Sequence, residues 1–218
     1  MKRLREVLFW GATGQAKVLH EALQGTDTKL VALVDNREMQ SNVLGVRVLH
    51  GEAGLDAWLA RRNNATDLYY AVAVGGGRSR DRLMLMDILQ SRGLIALTVV
   101  HRTAFVADNA VLGDGCQILA QAAVCAYARL GRGVLVNTAA SVDHDSEIGD
   151  GVHLAPGVRL AGEVTVGARA FIGTGAIVLP RVRIGEDAIV GAGAVVLHDV
   201  LPGITVVGNP AAILVNRK

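Results

Sequence analysis

The sequence predicts a two-part chain: a small parallel α/β domain over residues 1–100, then over 101–218 a triangular parallel β-helix with a short C-terminal extension. Three observations carry this. Strand-like and helix-like patterns alternate through the first hundred residues, and from Phe105 an unbroken hexapeptide repeat takes over. The composition, 26 Gly with only 4% aromatics, describes a core too narrow for large rings and built from many small layers.

In the first part, "EVLFWG" reads as a buried strand and "GATGQAKVLHEALQ" as a turn entering a helix. "KLVALVDN" and "DLYYAVAV" read as further strands, "GGGRSRDRLMLMDILQSRG" as a glycine turn into an amphipathic helix, and "IALTVV" as the last strand. Gly11 and Gly14 fall at the first strand-to-helix turn, where backbone amides can meet phosphate, and Asp35 ends the next strand, where an acid can hold ribose hydroxyls. The turn lacks a third glycine, so a purely structural tight turn is the alternative. A domain of about 100 residues supplies one mononucleotide-binding half, which fits a nucleoside diphosphate carrying a sugar better than a dinucleotide. His101, where "VVHRTAFVA" hands the chain to the coils, reads as a structural junction residue.

The repeat divides the chain from Phe105 to Val200 into sixteen hexapeptides, among them VLGDGC, SVDHDS, EIGDGV and HLAPGV. The second position is Val, Leu or Ile in all sixteen, and the sixth is always Ala, Val, Cys or Ser. With roughly three residues in ten being Val, Leu or Ile, chance would fill that column about once in 10^8 trials. An aliphatic every six residues, followed four later by a small one, suits a two-residue strand and a tight turn. Three strands then close an 18-residue triangular coil, and coils stacked at about 4.8 Å make a prism roughly 25 Å tall.

His144 is the fourth residue of SVDHDS and Asp145 the fifth, so both point outward at a corner. In an extended strand these neighbours would face opposite ways; a turn lets carboxylate and imidazole approach, which favours the imidazolium and makes a better proton acceptor. Steps of 18 from His144 reach Gly162, Pro180 and His198, and a second edge runs Pro156, Thr174, Ala192. Ridges this bare suit a long thin ligand lying along the prism, although small residues also simply suit tight corners.

Over essentially its full length the chain resembles the bacterial sugar acetyltransferases that join a Rossmann-like domain to a left-handed parallel β-helix. These include nucleotide-sugar N-acetyltransferases of the bacillosamine and perosamine type and the sialic-acid O-acetyltransferase group. The residues that carry the resemblance are "GATGQAKV", "VDN", "VNTAASVDHDSEIGDGVHLAPG", "VLPRVRIG", "VGAGAVV" and the closing "GNPAA". The left hand of the helix is implied by this resemblance, since parallel crossovers in general favour the right. The resemblance implies His144 as general base and Asp145 as the acid that raises its basicity. It implies His153 at the acetyl end of acetyl-CoA, and Gly162, Thr174 and Ala192 along the pantetheine arm. It further implies Gly14, Gln15, Asp35, Asn36, Gly75 and Gly76 around the nucleotide sugar, with Asn137 near the reacting centre. Many relatives carry His where this chain has Gln15. A homotrimer with active sites between neighbouring prisms is implied too.

The activity expected is acetyl-CoA-dependent acetylation of the amino group of a nucleotide-linked deoxy-amino sugar by direct transfer, with no metal. Transfer to a sugar hydroxyl, as in sialic-acid O-acetylation, is the nearest alternative, and a non-catalytic assembly module a more distant one. A zinc enzyme on the same helix needs three converging histidines; His144 and His153 are nine apart and lack a clear third. The 22 basic and 20 acidic residues nearly cancel without a dense Lys/Arg block, which argues against a nucleic-acid partner. No apolar run is long enough for membrane insertion or an export signal, and Cys116 and Cys125 match no disulfide or zinc framework, so a cytoplasmic protein is expected.

Overall fold

A computed structural model describes residues 4–41, 43, 45–62 and 67–214. Its first part is a five-stranded, all-parallel sheet in which the strands, counted along the chain, lie in the order third, second, first, fourth, fifth. In chain order the elements are β1 (Arg5–Trp10), α1 (Gly14–Ala22), β2 (Thr28–Asp35), β3 (Val48–His50), α2 (Gly51–Leu59), β4 (Leu68–Val72), α3 (Ser79–Gln90) and β5 (Ile95–Ala96). The near-continuous apolar runs of β1 and β2 are those of strands buried on both faces. Val7, Phe9 and Leu33 pack toward Ala16 and Leu19 of α1, whereas Leu8, Trp10 and Val34 pack toward Leu55 of α2 and Leu85 and Leu89 of α3. Strand β3 and helix α2 were not foreseen: β3 is three residues long, and α2 has only Leu55 fully buried, so neither has a strong period.

"IALTVV" is not one strand. Ile95–Ala96 closes the α/β sheet beside β4, while β6 (Val99–Val100) pairs with Gln117–Ile118 and opens the helix. From there two-residue strands recur every six residues to Val195–Val196, each paired in parallel with the strand 18 residues on. They build a left-handed parallel β-helix with three faces. One face carries Phe105, Ala123, Ser141, Arg159, Ile177 and Val195; the second carries Val111, Arg129, Glu147, Thr165 and Arg183; the third carries Val99, Gln117, Leu135, His153, Phe171 and Ile189. Thr205–Val207 extends the third face, and Ala212–Ile213 returns antiparallel beside it, the C-terminal extension folding back on the last coil.

The repeat's second and sixth residues fill the interior as expected, for example the ladder Val124, Val142, Leu160 and Val178 and, two residues earlier on the same coils, Ala122, Ala140, Val158 and Ala176. The fifth residue takes a left-handed backbone at nearly every corner, including non-glycines such as Gln121, Tyr127, Asp145 and Glu163. That conformation costs an L-residue roughly 1–2 kcal/mol. It is held because the fifth residue's amide donates to a carbonyl of the adjacent coil, as in Asp145 N to Ala126 O (3.0 Å) and Glu163 N to His144 O (2.9 Å).

The α/β domain docks on the third face. Leu119 and Leu135 of the coils join the core on the α1 side, and Arg82 of α3 is wholly buried between the two parts. Its guanidinium has no carboxylate partner among the described residues and donates to the carbonyls of Gly133 (2.9 Å), Gly151 (2.6 Å) and Val74 (3.1 Å). Burial pushes Arg82 down to about 10, so it remains a cation at neutral pH. His101 has the junction role expected of it. Its Nδ1 accepts the Thr103 amide (3.1 Å), which leaves Nε2–H to donate to Glu21 of α1 (3.0 Å).

Candidate active site

Why a histidine stands between two aspartates is answered at the corner joining the first and second faces. The Asp143 carboxylate accepts the His144 backbone amide (2.7 Å) and fixes the turn. Asp145, turned back by its left-handed backbone (φ 57°), places its carboxylate 2.8 Å from His144 Nδ1. A carboxylate can only accept, so Nδ1 carries the proton and Nε2 presents its lone pair outward. That hydrogen bond, with the charges of Asp143, Asp145 and Glu163, raises the imidazole above its usual range. The ring lies over Gly162 of the next coil, where a Cβ would come within 2.5 Å of Nε2. Gly162 therefore leaves the space in which the imidazole rests. Thr174 and Ala192 are exposed as expected, but on the corner between the third and first faces, stacked through Gly193 N to Thr174 O (2.8 Å).

The second constellation lies at the carboxyl ends of β1, β2 and β4, where the strand order reverses and open α/β sheets hold ligands. A cleft of about 650 Å³ is lined there by Gly14, Gln15, Asp35, Asn36 and Gly75, together with Trp10, Arg37 and Arg78. Gly11 is demanded by close approach: its φ is 107°, and a Cβ would meet the Ala73 carbonyl oxygen at 2.4 Å. Gly14 faces open space. Asp35 accepts the Ala12 amide (3.1 Å) and is held by Arg37 through Nε (3.0 Å) and Nη2 (3.2 Å), which keeps its carboxyl below the usual carboxylate range. A ligand hydroxyl reaching Asp35 must share it with, or displace, the exposed Arg37.

Beneath the cleft, three alternate carbonyls, from the last residue of β4 onward, are each captured by a buried polar side chain. Gln117 donates to Val72 (2.7 Å), Arg82 to Val74 (3.1 Å) and His153 Nδ1 to Gly76 (2.9 Å). The other nitrogen of His153 accepts from Asn137 Nδ2 (3.3 Å), and Phe171 packs edge-on to the ring at 5.2 Å, which leaves Phe171 half-buried rather than a free surface residue. Burial, aided by the nearby Arg82 charge, pushes His153 down to about 4, so the imidazole is neutral. Gly76 thus faces the coils, while Gly75 faces the cleft.

The two constellations lie on opposite sides of one prism. His144 occupies the corner between the first two faces, and His153, Asn137 and the cleft belong to the third face, across from that corner. Among the described residues, no group of three or more His, Cys, Asp or Glu is placed to hold a metal ion, and no helix is long and apolar enough to cross a membrane.

The family model for bacterial transferase hexapeptide (six repeats) matches residues 163–198. Solved structures match far more of the chain. PerB from Caulobacter crescentus, in complex with CoA and GDP-perosamine, is 36% identical with a TM-score of 0.88, over 96% of this chain and 97% of that one. The chain belongs to the hexapeptide-repeat sugar N-acetyltransferases. A histidine variant of perosamine N-acetyltransferase from Caulobacter crescentus, also with CoA and GDP-perosamine, is 34% identical with a TM-score of 0.89 and 97% of each chain covered. The acetyltransferase domain of PglB from Neisseria gonorrhoeae, in complex with acetyl coenzyme A, is 35% identical with a TM-score of 0.85, over 96% of this chain and 99% of that domain. No curated protein matches the chain by sequence.

In this sugar N-acetyltransferase the residues that sequence reading missed are polar groups whose place depends on docking. Gln117 and Arg82 are almost wholly buried, yet one opens an ordinary hexapeptide and the other sits in an amphipathic helix. Arg37 follows the "VDN" motif directly, and only its fork onto Asp35 marks it as part of the cleft.

Proposed function

We propose that the chain transfers the acetyl group of acetyl-CoA to the amino group of a nucleotide-linked deoxy-amino sugar, with His144 as the general base. The observation that carries this reading is the His144–Asp145 pair: an exposed imidazole with Nδ1–H on a carboxylate and Nε2 free over Gly162. The relatives, bound to CoA, acetyl coenzyme A and GDP-perosamine, supply the substrate classes. The cleft at the strand ends, with its glycine turns and Asp35, is where the nucleotide moiety binds.

The sugar nitrogen attacks the thioester carbonyl carbon, forming the C–N bond as the C–S bond breaks. The proton lost from the neutral sugar amine goes to His144 Nε2, and the imidazolium gives it up to the departing CoA thiolate, leaving the amide, the thiol and a neutral His144. General-base assistance of this kind contributes about 10²–10⁴ in rate, and juxtaposing the two substrates contributes the remainder. Asp145 stabilises the imidazolium as it forms.

With the cleft on one side of the prism and the base on the other, this reading needs another copy of the chain to complete the site, and the family resemblance favours a homotrimer. His144 of one copy then meets the cleft of its neighbour. Exposed apolar residues such as Phe105 and Ile177 on the first face and Val111 on the second are the surfaces such packing covers. The test is acetyl transfer to a panel of nucleotide amino sugars, run beside a mixing experiment. His144→Ala and a cleft variant, each inactive alone, should regain activity when their subunits are exchanged. No transfer to any nucleotide amine would overturn the substrate class, and no regain on mixing would overturn the shared site.

A further inference from the structure

Gln117 is 1% exposed and opens a hexapeptide on the third face, a position whose side chain would face solvent if the α/β domain were not docked there. It lies between two groups of that domain. Its Nε2 donates to the Val72 carbonyl at 2.7 Å, and its Oε1 accepts Gln15 Nε2 at 2.8 Å. The sense of this relay is forced from one end. A backbone carbonyl can only accept, so Gln117 must turn its NH₂ to Val72 and its oxygen to Gln15. Gln15 must then turn its own NH₂ to Gln117. Its remaining amide atom, Oε1, is left beside Gly75, 3.6 Å from where a Cβ there would stand, on the wall of the cleft. Reversing either amide would oppose two oxygens in a buried interface, and an unsatisfied buried polar group costs about 1–3 kcal/mol.

We propose that Gln117 is a positioning residue that locks the Gln15 amide with its carbonyl oxygen toward the cleft, so that this wall reads a hydrogen-bond donor on the bound nucleotide sugar, a hydroxyl or an amine. A phosphate oxygen is repelled at the same point. The inference rests on the reading that the cleft holds the nucleotide sugar, and it assigns one specificity determinant within it. Gln117 does not touch substrate; it acts through Gln15.

The test is a double-mutant cycle on the full chain with Gln15→Met and Gln117→Met, which keep volume and remove the hydrogen bonds. The probe is GDP-perosamine, or whichever nucleotide amino sugar the wild-type chain acetylates faster. Gln117→Met is expected to raise KM for the nucleotide sugar about tenfold, with kcat and the KM for acetyl-CoA within about twofold of wild type. Gln15→Met should do the same, and the double variant should be no worse than Gln15→Met alone. If Gln117→Met adds its full factor in the Gln15→Met background, or raises both KM values together, Gln117 only holds the domains together and the proposal is overturned. Should Gln117→Met not fold, Gln117→Asn enters the cycle instead, since it keeps an amide but is too short to bridge Val72 and Gln15. Calorimetric titration separates the two levels of inference. Wild-type binding of the nucleotide sugar with equal affinity in Gln15→Met sinks this proposal and leaves the function standing, whereas no binding by wild type sinks the function itself.

Discussion

His144 and His153 stand on the same turn of the prism, and their surroundings drive them in opposite directions. At the corner, His144 is open to solvent and surrounded by carboxylates, which raise its affinity for a proton. On the third face, His153 is covered by the α/β domain, and burial with the nearby Arg82 charge pushes it down to about 4. The repeat dictates only which way each side chain leaves the coil. What lies over that face then decides whether an imidazole exchanges protons or serves as a fixed neutral donor and acceptor. One fold unit thus yields an imidazole of raised proton affinity at a corner and a buried neutral one on a face.

The largest effects are expected at the corner. His144→Ala should lower kcat by about 10²-fold or more while leaving the melting temperature unchanged, because the side chain projects away from the coil. Near wild-type turnover in that variant would remove His144 from the chemistry. Gly162→Ala tests the same residue from beneath. The atoms nearest to the new methyl group are those at the far end of an exposed ring, so the coil should survive and the imidazole should be displaced. We expect kcat to fall by roughly 10- to 100-fold with unchanged circular dichroism.

Asp145→Asn sharpens the electrostatic half of the contrast. With His144 as the proposed base, only its neutral form is active, so kcat/KM should rise with pH through the raised pKa of the wild-type imidazole. Removing the carboxylate should lower that pKa and move the acid limb to lower pH, with about a tenfold loss of plateau rate. An acid limb that stays in place would mean that another group titrates in the profile.

His153 should leave that limb untouched and appear instead in stability. Its folded pKa of about 4 lies below the unfolded value of about 6.5, so the unfolded chain binds the extra proton between these limits. The contribution is fully present above pH 6.5 and is lost as pH falls toward 4, by about 3 kcal/mol for a shift of this size. His153→Gln should flatten the decline in denaturation midpoint across that window. An unchanged slope would show that the folded imidazole titrates normally.

Much of this was legible beforehand because the hexapeptide period is a local code. An aliphatic in the second place and a small residue in the sixth state which atoms face the interior, and so imply that His144 and Asp145 face out. The alternation in the first hundred residues likewise marked the glycine turns and Asp35, all of which line or border one cleft. Strand β3 and helix α2 escaped because three residues and a single fully buried leucine make too weak a pattern.

By itself, then, the sequence determined the coil, its register and the outward direction of every corner residue, since each depends on neighbours at most 18 positions away. Only the tertiary structure decided which face the α/β domain covers, that Gln117, Arg82 and His153 cap alternate carbonyls beneath the cleft, and that His144 lies on the far side of the prism from it. The physical reason is that burial and hydrogen-bond satisfaction are properties of contacts between segments distant in sequence. Gln117 and Val72 are 45 residues apart, and His153 and Gly76 are 77 apart. No local pattern distinguishes a polar residue that will face water from one that will be covered and must find its partner there.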